Sequence, residues 1–310
     1  MSASFFRNAA LQQPGFIPFL SARVLGLFAQ QMQAVVIAWQ VYDITRDPLS
    51  LAYVGLAQFL PMLLLLIPAG DLADRMSRKH LLAASWSLAA VCSALLLWLS
   101  TRGAQGVSGI YAVLVLFGCS RAFTGPAMQS LLPQIVPRAV LAQALATNSM
   151  IMRTGAIVAP VLGGVLYGLG GGVLTYAVCA LALLLGVALL LLRVPVLYAA
   201  ARSPLMGTMW QRATEGIGFI RSRPIVLGTI SLDLFAVLLG GVIALLPVYA
   251  KEVLHTGPEG LGMLRASMAA GEVLMGLWLS ARPINRRVGK VMLAAVAVFG
   301  IANLVFALSH

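Results

Sequence analysis

Nine mainly apolar stretches, most of them about 20 residues long, constrain this chain more than any other feature. They run over 17–42, 50–69, 81–101, 108–126, 142–167, 172–192, 225–250, 260–281 and 291–308. A helix of about 20 apolar residues matches the thickness of a bilayer core. Backbone groups in hydrocarbon must be satisfied inside their own segment, so such stretches are expected as membrane helices. The breaks between them carry Pro, Gly and charge, as at Asp47-Pro48, Gly70-Asp71 and Arg282-Pro283. Charged residues are only 10% of the chain, against about 25% for a soluble domain. That excludes a water-soluble enzyme, and the 60% hydrophobic content excludes a disordered chain. The expected fold class is an all-α membrane protein with nine transmembrane helices.

The net charge of +12 reads as a topology signal. With the N-terminus in the cytoplasm, fourteen of the 21 Lys and Arg fall in inside segments. Arg46, Arg102 and Lys251 fall outside, and Arg23, Arg121, Arg153 and Arg265 fall within spans. This is the positive-inside pattern. Because the positive charge is spread over several loops, no nucleic-acid partner is expected. The N-terminus lacks a basic start, a short apolar run and a small-residue cleavage site, so no cleaved signal peptide is expected. Cys92, Cys119 and Cys179 lie in apolar stretches and form no Cys-x-x-Cys, so they read as small buried hydrophobes.

The longest polar stretch, 194–224, separates the first six spans from the last three. Trp210, Ala213, Ile217 and Ile220 follow a helical spacing, which suggests an amphipathic helix on the inner leaflet within a linker. The expected organisation is a six-helix bundle over 1–193, the linker over 194–224, and a partial bundle of three helices over 225–310. The basic loop Asp74-Arg75-Met76-Ser77-Arg78-Lys79 has a counterpart in Arg286-Arg287-Val288-Gly289-Lys290, about 212 residues later. Repeats of this kind build many secondary transporters. At that offset a complete second half would reach roughly residue 405, so three further spans are expected beyond residue 310. The alternative is a non-transporting fragment or relic of such a transporter.

Three motifs carry a family resemblance. After the second span stand Gly70, Asp74, Arg75, Arg78 and Lys79, with Ser77 at the one departure from Gly-x-x-x-Asp-Arg-x-Gly-Arg-Arg/Lys. In the fourth span Arg121 precedes Gly125-Pro126. In the fifth, Gly155, Ala159, Pro160, Gly163 and Gly164 form Gly-x-x-x-Ala-Pro-x-x-Gly-Gly, with Ala159 where the family has glycine. The sequence resembles the major facilitator superfamily over essentially its whole length, in particular the bacterial enterobactin-exporter or transmembrane secretion effector branch. The resemblance implies alternating access of two helix bundles and export of a small amphipathic molecule, siderophore-like or drug-like, against protons. It implies a cytoplasmic gate at Gly70, Asp74, Arg75, Arg78 and Lys79, an antiporter-type stripe over Gly155–Gly164, and a part for Arg121 in proton coupling.

Asp233 and Glu272 are the acids placed deepest in spans, and a low-dielectric cavity favours proton uptake by a carboxylate. They are the expected proton carriers. Gln30, Gln33, Gln58, Asn148, Arg153 and Arg265 are the expected cavity-lining polar residues; interhelical hydrogen bonding is the competing role. Asp43 reads as a solvated residue at a span end. No Walker loop, Gly-x-Ser-x-Gly or His-Glu-x-x-His occurs, and His80, His255 and His310 make a poor metal set. The chain is expected to be no enzyme and to use no cofactor or metal. Its expected partners are a small-molecule substrate, protons and the lipid bilayer of the inner membrane, and it is expected to be a monomer.

Overall fold

The computed structural model describes residues 9–102, 106–196, 214, 218–239, 241–282 and 287–309. The linker residues Trp210, Ala213 and Ile217 lie outside the described residues. Every long element is helical: α1 (Phe16–Thr45), α2 (Pro48–Arg75), α3 (Arg78–Thr101), α4 (Ser108–Ile135), α5 (Leu141–Arg193), α6 (Pro224–Leu239), α7 (Val242–Val248), α8 (Pro258–Ala281) and α9 (Val288–Leu308). A π-helical turn, Tyr249–Val253, follows α7. Among the described residues, seven helical stretches are long and apolar enough to cross a membrane. Pro258–Ala281 is not one of them, because Arg265 and Glu272 dilute its apolar run.

One of the seven, Arg138–Arg193, has 56 residues. At about 1.5 Å per residue that is more than twice the bilayer core. Its path is broken at Gly170 (φ −145°, ψ 18°) and Gly171 (φ 61°, ψ −160°). The positive φ at Gly171 is a conformation that side chains disfavour, which is why glycine stands there. The contacts reveal a reversal. Gly155 lies against Leu27, Gly163 against Met32 and Gly172 beside Gln40. The chain then returns, with Cys179 at Ala29 and Gly186 at Ala22. The two arms of α5 therefore run antiparallel along α1.

Another register fixes α3. Gly26 faces Trp86, Gln33 donates to Ser93 Oγ, and Gln40 donates to Ser100 Oγ at 3.3 Å. All three pairs are sixty residues apart, so α1 and α3 run parallel without slippage. Tyr176 hydroxyl donates to Gln40 Oε1 at 2.7 Å and ties the returning arm to the same point. Helices α2 and α4 pack as a second pair. Tyr111 donates to Ser50 carbonyl at 3.1 Å, and Ser120 joins α4 to α3 through Ser85 carbonyl at 2.7 Å.

The core lies between these helices and includes Trp86, Tyr176, Phe16, Phe19 and Leu183, all buried. Outward faces are apolar as well: Leu56, Phe59, Leu60, Leu63, Leu64 and Leu66 of α2 are all exposed. In water that surface would be a large liability; in lipid it is the expected exterior.

The chain divides into two compact units. The first is Met1–Arg202 with Pro247–Ala270, and the second is Ser203–Leu246 with Gly271–His310. In the second unit α6 and α9 touch, and α9 has no buried residue.

Close approach in the first unit depends on missing side chains. A Cβ on Gly118 would stand 2.3 Å from Gln58 carbonyl oxygen, whereas one on Gly125, two turns on, would meet nothing within 4 Å. Gly118→Ala should therefore destabilise the protein by roughly 1–3 kcal/mol through overpacking. Gly125→Ala should be neutral or stabilising by up to about 1 kcal/mol, from helix propensity alone. Thermal unfolding in detergent, followed by intrinsic fluorescence, checks the pair; equal shifts for both variants would contradict the packing argument.

Candidate functional site

The first unit has two ends with different chemistry. At one lie Arg75, Arg78 and Lys79. Arg75 pairs with Asp71 at 2.8 Å, one helical turn back on α2. Arg78 donates to Ser130 carbonyl of α4 at 3.1 Å. Lys79 donates to the carbonyls of Leu191 and Val194 at 3.0 and 2.6 Å, where it caps the C-terminal, partially negative end of α5. Thus two of the three cations of the basic loop hold helix ends. Gly70 has open space where a Cβ would stand, and the side chain of Asp74 lies outside the described residues.

At the other end a charge cluster joins α1 to the turn after α7. Lys251 is ion-paired to Asp43, Arg46 pairs with Asp43 at 3.5 Å and with Glu252 at 3.6 Å, and Tyr42 hydroxyl donates to Glu252 at 3.2 Å. Lys251 also sits 5.3 Å over the Trp39 ring. Asp43 is thus not simply solvated; it is held by two cations. Nothing in the local sequence signals this, because Asp43 and Lys251 are 208 residues apart.

The small-residue stripe has two faces. Gly155 and Gly163 turn toward α1, where added Cβ atoms would come within 2.6 Å of Leu27 and 2.8 Å of Met32. Ala159 is fully buried beside them. Gly164 and Pro160 turn toward α8. A Cβ on Gly164 would stand 2.4 Å from Pro258 carbonyl, and one on Gly262 would stand 2.6 Å from Pro160 carbonyl. The approach is reciprocal: each helix offers a glycine to the other's backbone. Sequence reasoning missed Gly118, since one glycine in an apolar stretch carries no periodic signal, and it gave no packing role to Gly262, whose partner is about a hundred residues away.

Among the polar residues, Arg121 and Gln58 are brought together. Arg121 Nη1 donates to Gln58 Oε1 at 3.2 Å, at the level where Gly118 lets α4 meet α2. Gln33 is fully buried between α1 and α3, with its Oε1 unpartnered; Asn148 is buried with Oδ1 unpartnered. Gln30 is half-buried on α1 and Arg153 is exposed on α5. Arg265 is half-buried on α8, and its Nε is buried without a partner. Asp233 on α6 and Glu272 on α8 belong to the second unit and are exposed, and among the described residues no ion pair holds either. Among the described residues no group of three or more His, Cys, Asp and Glu could hold a metal ion.

Among the described residues, seven apolar helical stretches long enough to span a bilayer, joined by glycine-backed crossings, are the architecture of a multi-pass membrane protein. The comparisons make the class specific: residues 6–310 match the family described as transmembrane secretion effector, and the chain belongs to that family of the major facilitator superfamily. Among curated relatives it is 27% identical over 283 residues to the multidrug efflux pump Tap of Mycolicibacterium fortuitum, covering 88% of this chain and 68% of the pump. It is 24% identical over 302 residues to the enterobactin exporter EntS of Citrobacter koseri, covering 93% of this chain and 70% of the exporter. Among solved structures it resembles a bacterial homologue of the human lysosomal transporter Spinster, in an inward-facing and occupied conformation, with TM-score 0.63 and 17% identity. That match covers 87% of this chain and 62% of the other, so the chain spans less than two thirds of that structure's length.

The Asp43 cluster yields a direct test. In a double-mutant cycle with Asp43→Asn and Lys251→Gln, the two substitutions should couple by about 0.5–1 kcal/mol, the range for partly exposed pairs in a network. Detergent unfolding of the four proteins measures it, and additivity within error would show that the contact contributes nothing.

Proposed function

We propose that this protein is a secondary active transporter that exports a small amphipathic molecule, siderophore-like or drug-like, in exchange for protons. It works by alternating access of two helix bundles, 1–193 and a second beginning near 225, joined by the linker 194–224. Membership of the transmembrane secretion effector family and the names of its relatives, an efflux pump and an exporter, support export. The observation that supports the mechanism is the packing of 247–270 against α1 and α5 within the first unit at the Asp43 end, through the charge cluster and the Gly164–Gly262 crossing. In an alternating-access transporter a contact of that kind closes one side of the pathway.

In this reading the 56-residue stretch crosses the membrane twice and Pro258–Ala281 crosses it as well, giving nine spans. The chain lies in the inner membrane in this reading, and the positive-inside rule supports a cytoplasmic Lys79 end and N-terminus. The Asp43 end is then the outer gate. Gly70, Asp74, Arg75, Arg78 and Lys79 form the inner gate, and the stripe from Gly155 to Gly164 forms the surface on which the outer contact closes. Asp233 and Glu272 carry protons, with Arg121 setting their charge balance. Gln30, Gln33, Gln58, Asn148, Arg153 and Arg265 supply the polar groups of the pathway.

Inverted vesicles with an imposed pH gradient, acidic inside, test this reading. They should accumulate substrate, and collapse of the gradient by an ionophore should stop uptake. Asp233→Asn and Glu272→Gln should each lower gradient-driven uptake at least tenfold while counterflow of labelled substrate persists. Undiminished uptake in both variants would remove these acids from coupling. A cysteine pair replacing Asp43 and Lys251 should arrest transport when oxidised and restore it on reduction; transport that survives the cross-link would remove the outer gate.

A further inference from the structure

The last carbonyls of a helix have no intrahelical partner, and many helices satisfy some of them by turning back at a left-handed residue. Helix α5 ends differently. Pro195 follows Val194, a residue before proline is pushed toward extended backbone, and Val194 adopts it (φ −99°, ψ 104°). The donor comes instead from another helix. Lys79 Nζ reaches Leu191 carbonyl at 3.0 Å, inside the last turn, and Val194 carbonyl at 2.6 Å, just past it. One ammonium thus holds the end of α5 and the first residue of the linker together.

A second element grips the same point from the other side. The turn before α1 is closed by two hydrogen bonds, Gln13 N–H to Ala10 carbonyl and Phe16 N–H to Gln13 carbonyl, both at 3.2 Å. It brings Gly15 against the Pro195 ring, where a Cβ on Gly15 would stand 2.2 Å from Pro195 Cδ. Gly15 also has φ +85°, a conformation that side chains disfavour, so its backbone and its neighbour both require glycine. Ala10, Phe16 and Val194 are buried in one core cluster. A linker that merely left the helix end would not bury its first side chain or hold a lysine on its first carbonyl, since ordering a lysine side chain costs conformational entropy. Arg193 and Val196, on either side of the held pair, are exposed.

We propose that Lys79 and the Gly15 turn clamp the root of the linker to the first unit, and that Lys79 is a positioning residue for the linker. The clamp stands without the transport reading above. Within that reading, Lys79 belongs to the inner gate as well, so the clamp ties the gate to the linker. Limited trypsin digestion of the purified protein in detergent, with fragments quantified by mass spectrometry, tests it. Cleavage after Arg193 reports opening of the clamp, because proteolysis follows the population of the open form. Cleavage after Arg202 serves as the reference within the same chain. In the parent, cleavage after Arg193 should be at least tenfold slower than after Arg202. Lys79→Met and Gly15→Ala should each raise the Arg193 to Arg202 ratio at least fivefold. Lys79→Arg, which keeps a cationic donor, should restore the parent ratio, and His80→Gln, at the exposed neighbouring residue, should leave it unchanged. Size-exclusion profiles check folding, and Pro195→Ala, which removes the ring and keeps every hydrogen-bonding group of the clamp, replaces Gly15→Ala if that variant does not fold. Equal cleavage at the two sites in the parent, an unchanged ratio in Lys79→Met, or an equal rise in His80→Gln would overturn the proposal. A raised ratio in Lys79→Met with undiminished gradient-driven transport would leave the clamp standing and remove Lys79 from the inner gate.

Discussion

The first unit is organised around α1, which packs against both arms of α5 and against α3. Arg23, Gln30, Gln31, Gln33 and Gln40 make it the least apolar of the seven stretches, so part of its surface needs protein neighbours, but composition does not say which. Packing at glycines and small polar contacts makes the choice. Gly155 and Gly163 admit α1 on one arm, Gly186 admits it on the other, and Gly26 admits Trp86. The Gln33–Ser93 and Gln40–Ser100 pairs then prevent sliding along the axis. Filling any of these close contacts would change the spacing of several helices together, because they share one partner.

Charge in this unit is divided by depth. At both ends several cations are held: Lys79 on the last carbonyls of α5, Arg78 on Ser130, Arg75 on Asp71, and Arg46 with Lys251 on Asp43 and Glu252. Each of these sites can reach the interfacial region, where water screens the pair and makes it inexpensive. Away from the ends, Arg23, Arg121, Arg153 and Arg265 stand within helices α1, α4, α5 and α8. An arginine within a span is costly, so each is a functional position by default.

Most of the architecture was legible in the sequence because it follows from length and hydropathy. The break at Asp47-Pro48 coincides with a helix start and the gap between the fifth and sixth stretches with the reversal of α5 at Gly170–Gly171, whereas Gly70-Asp71 is no break, since α2 continues to Arg75. Pro258–Ala281 marks the limit: as a helix it was legible, but Arg265 and Glu272 lower its hydropathy below that of its neighbours. The small-residue stripe was legible as a stripe, since i, i+4 spacing is local. Its second face was not, because Gly262 is about a hundred residues away and only folding brings it to Pro160. The same holds for Asp43 and Lys251, and for the meeting of Arg121 with Gln58. Sequence reasoning finds the residues whose type is unusual for their surroundings. It does not find their partners, because partnership is a property of helix register.

The division of α8 between the two units gives the proposed mechanism its connection. Arg265 and Gly262 lie in the part that belongs to the first unit, and Glu272 lies in the part that belongs to the second. The helix is continuous across that boundary, and residues seven apart lie on one face, about 10 Å from each other. An α-helix of this length resists bending unless proline or a bulge interrupts it, and between Arg265 and Glu272 there is neither. In the proposed function, binding of substrate at Arg265 and of a proton at Glu272 would therefore act on one stiff element. Either event changes what the helix carries through the membrane, and the favoured position of the helix changes with it. Coupling of the two fluxes then needs no contact between the two ligands. It requires only that each binds the helix more tightly in one of its positions than in the other.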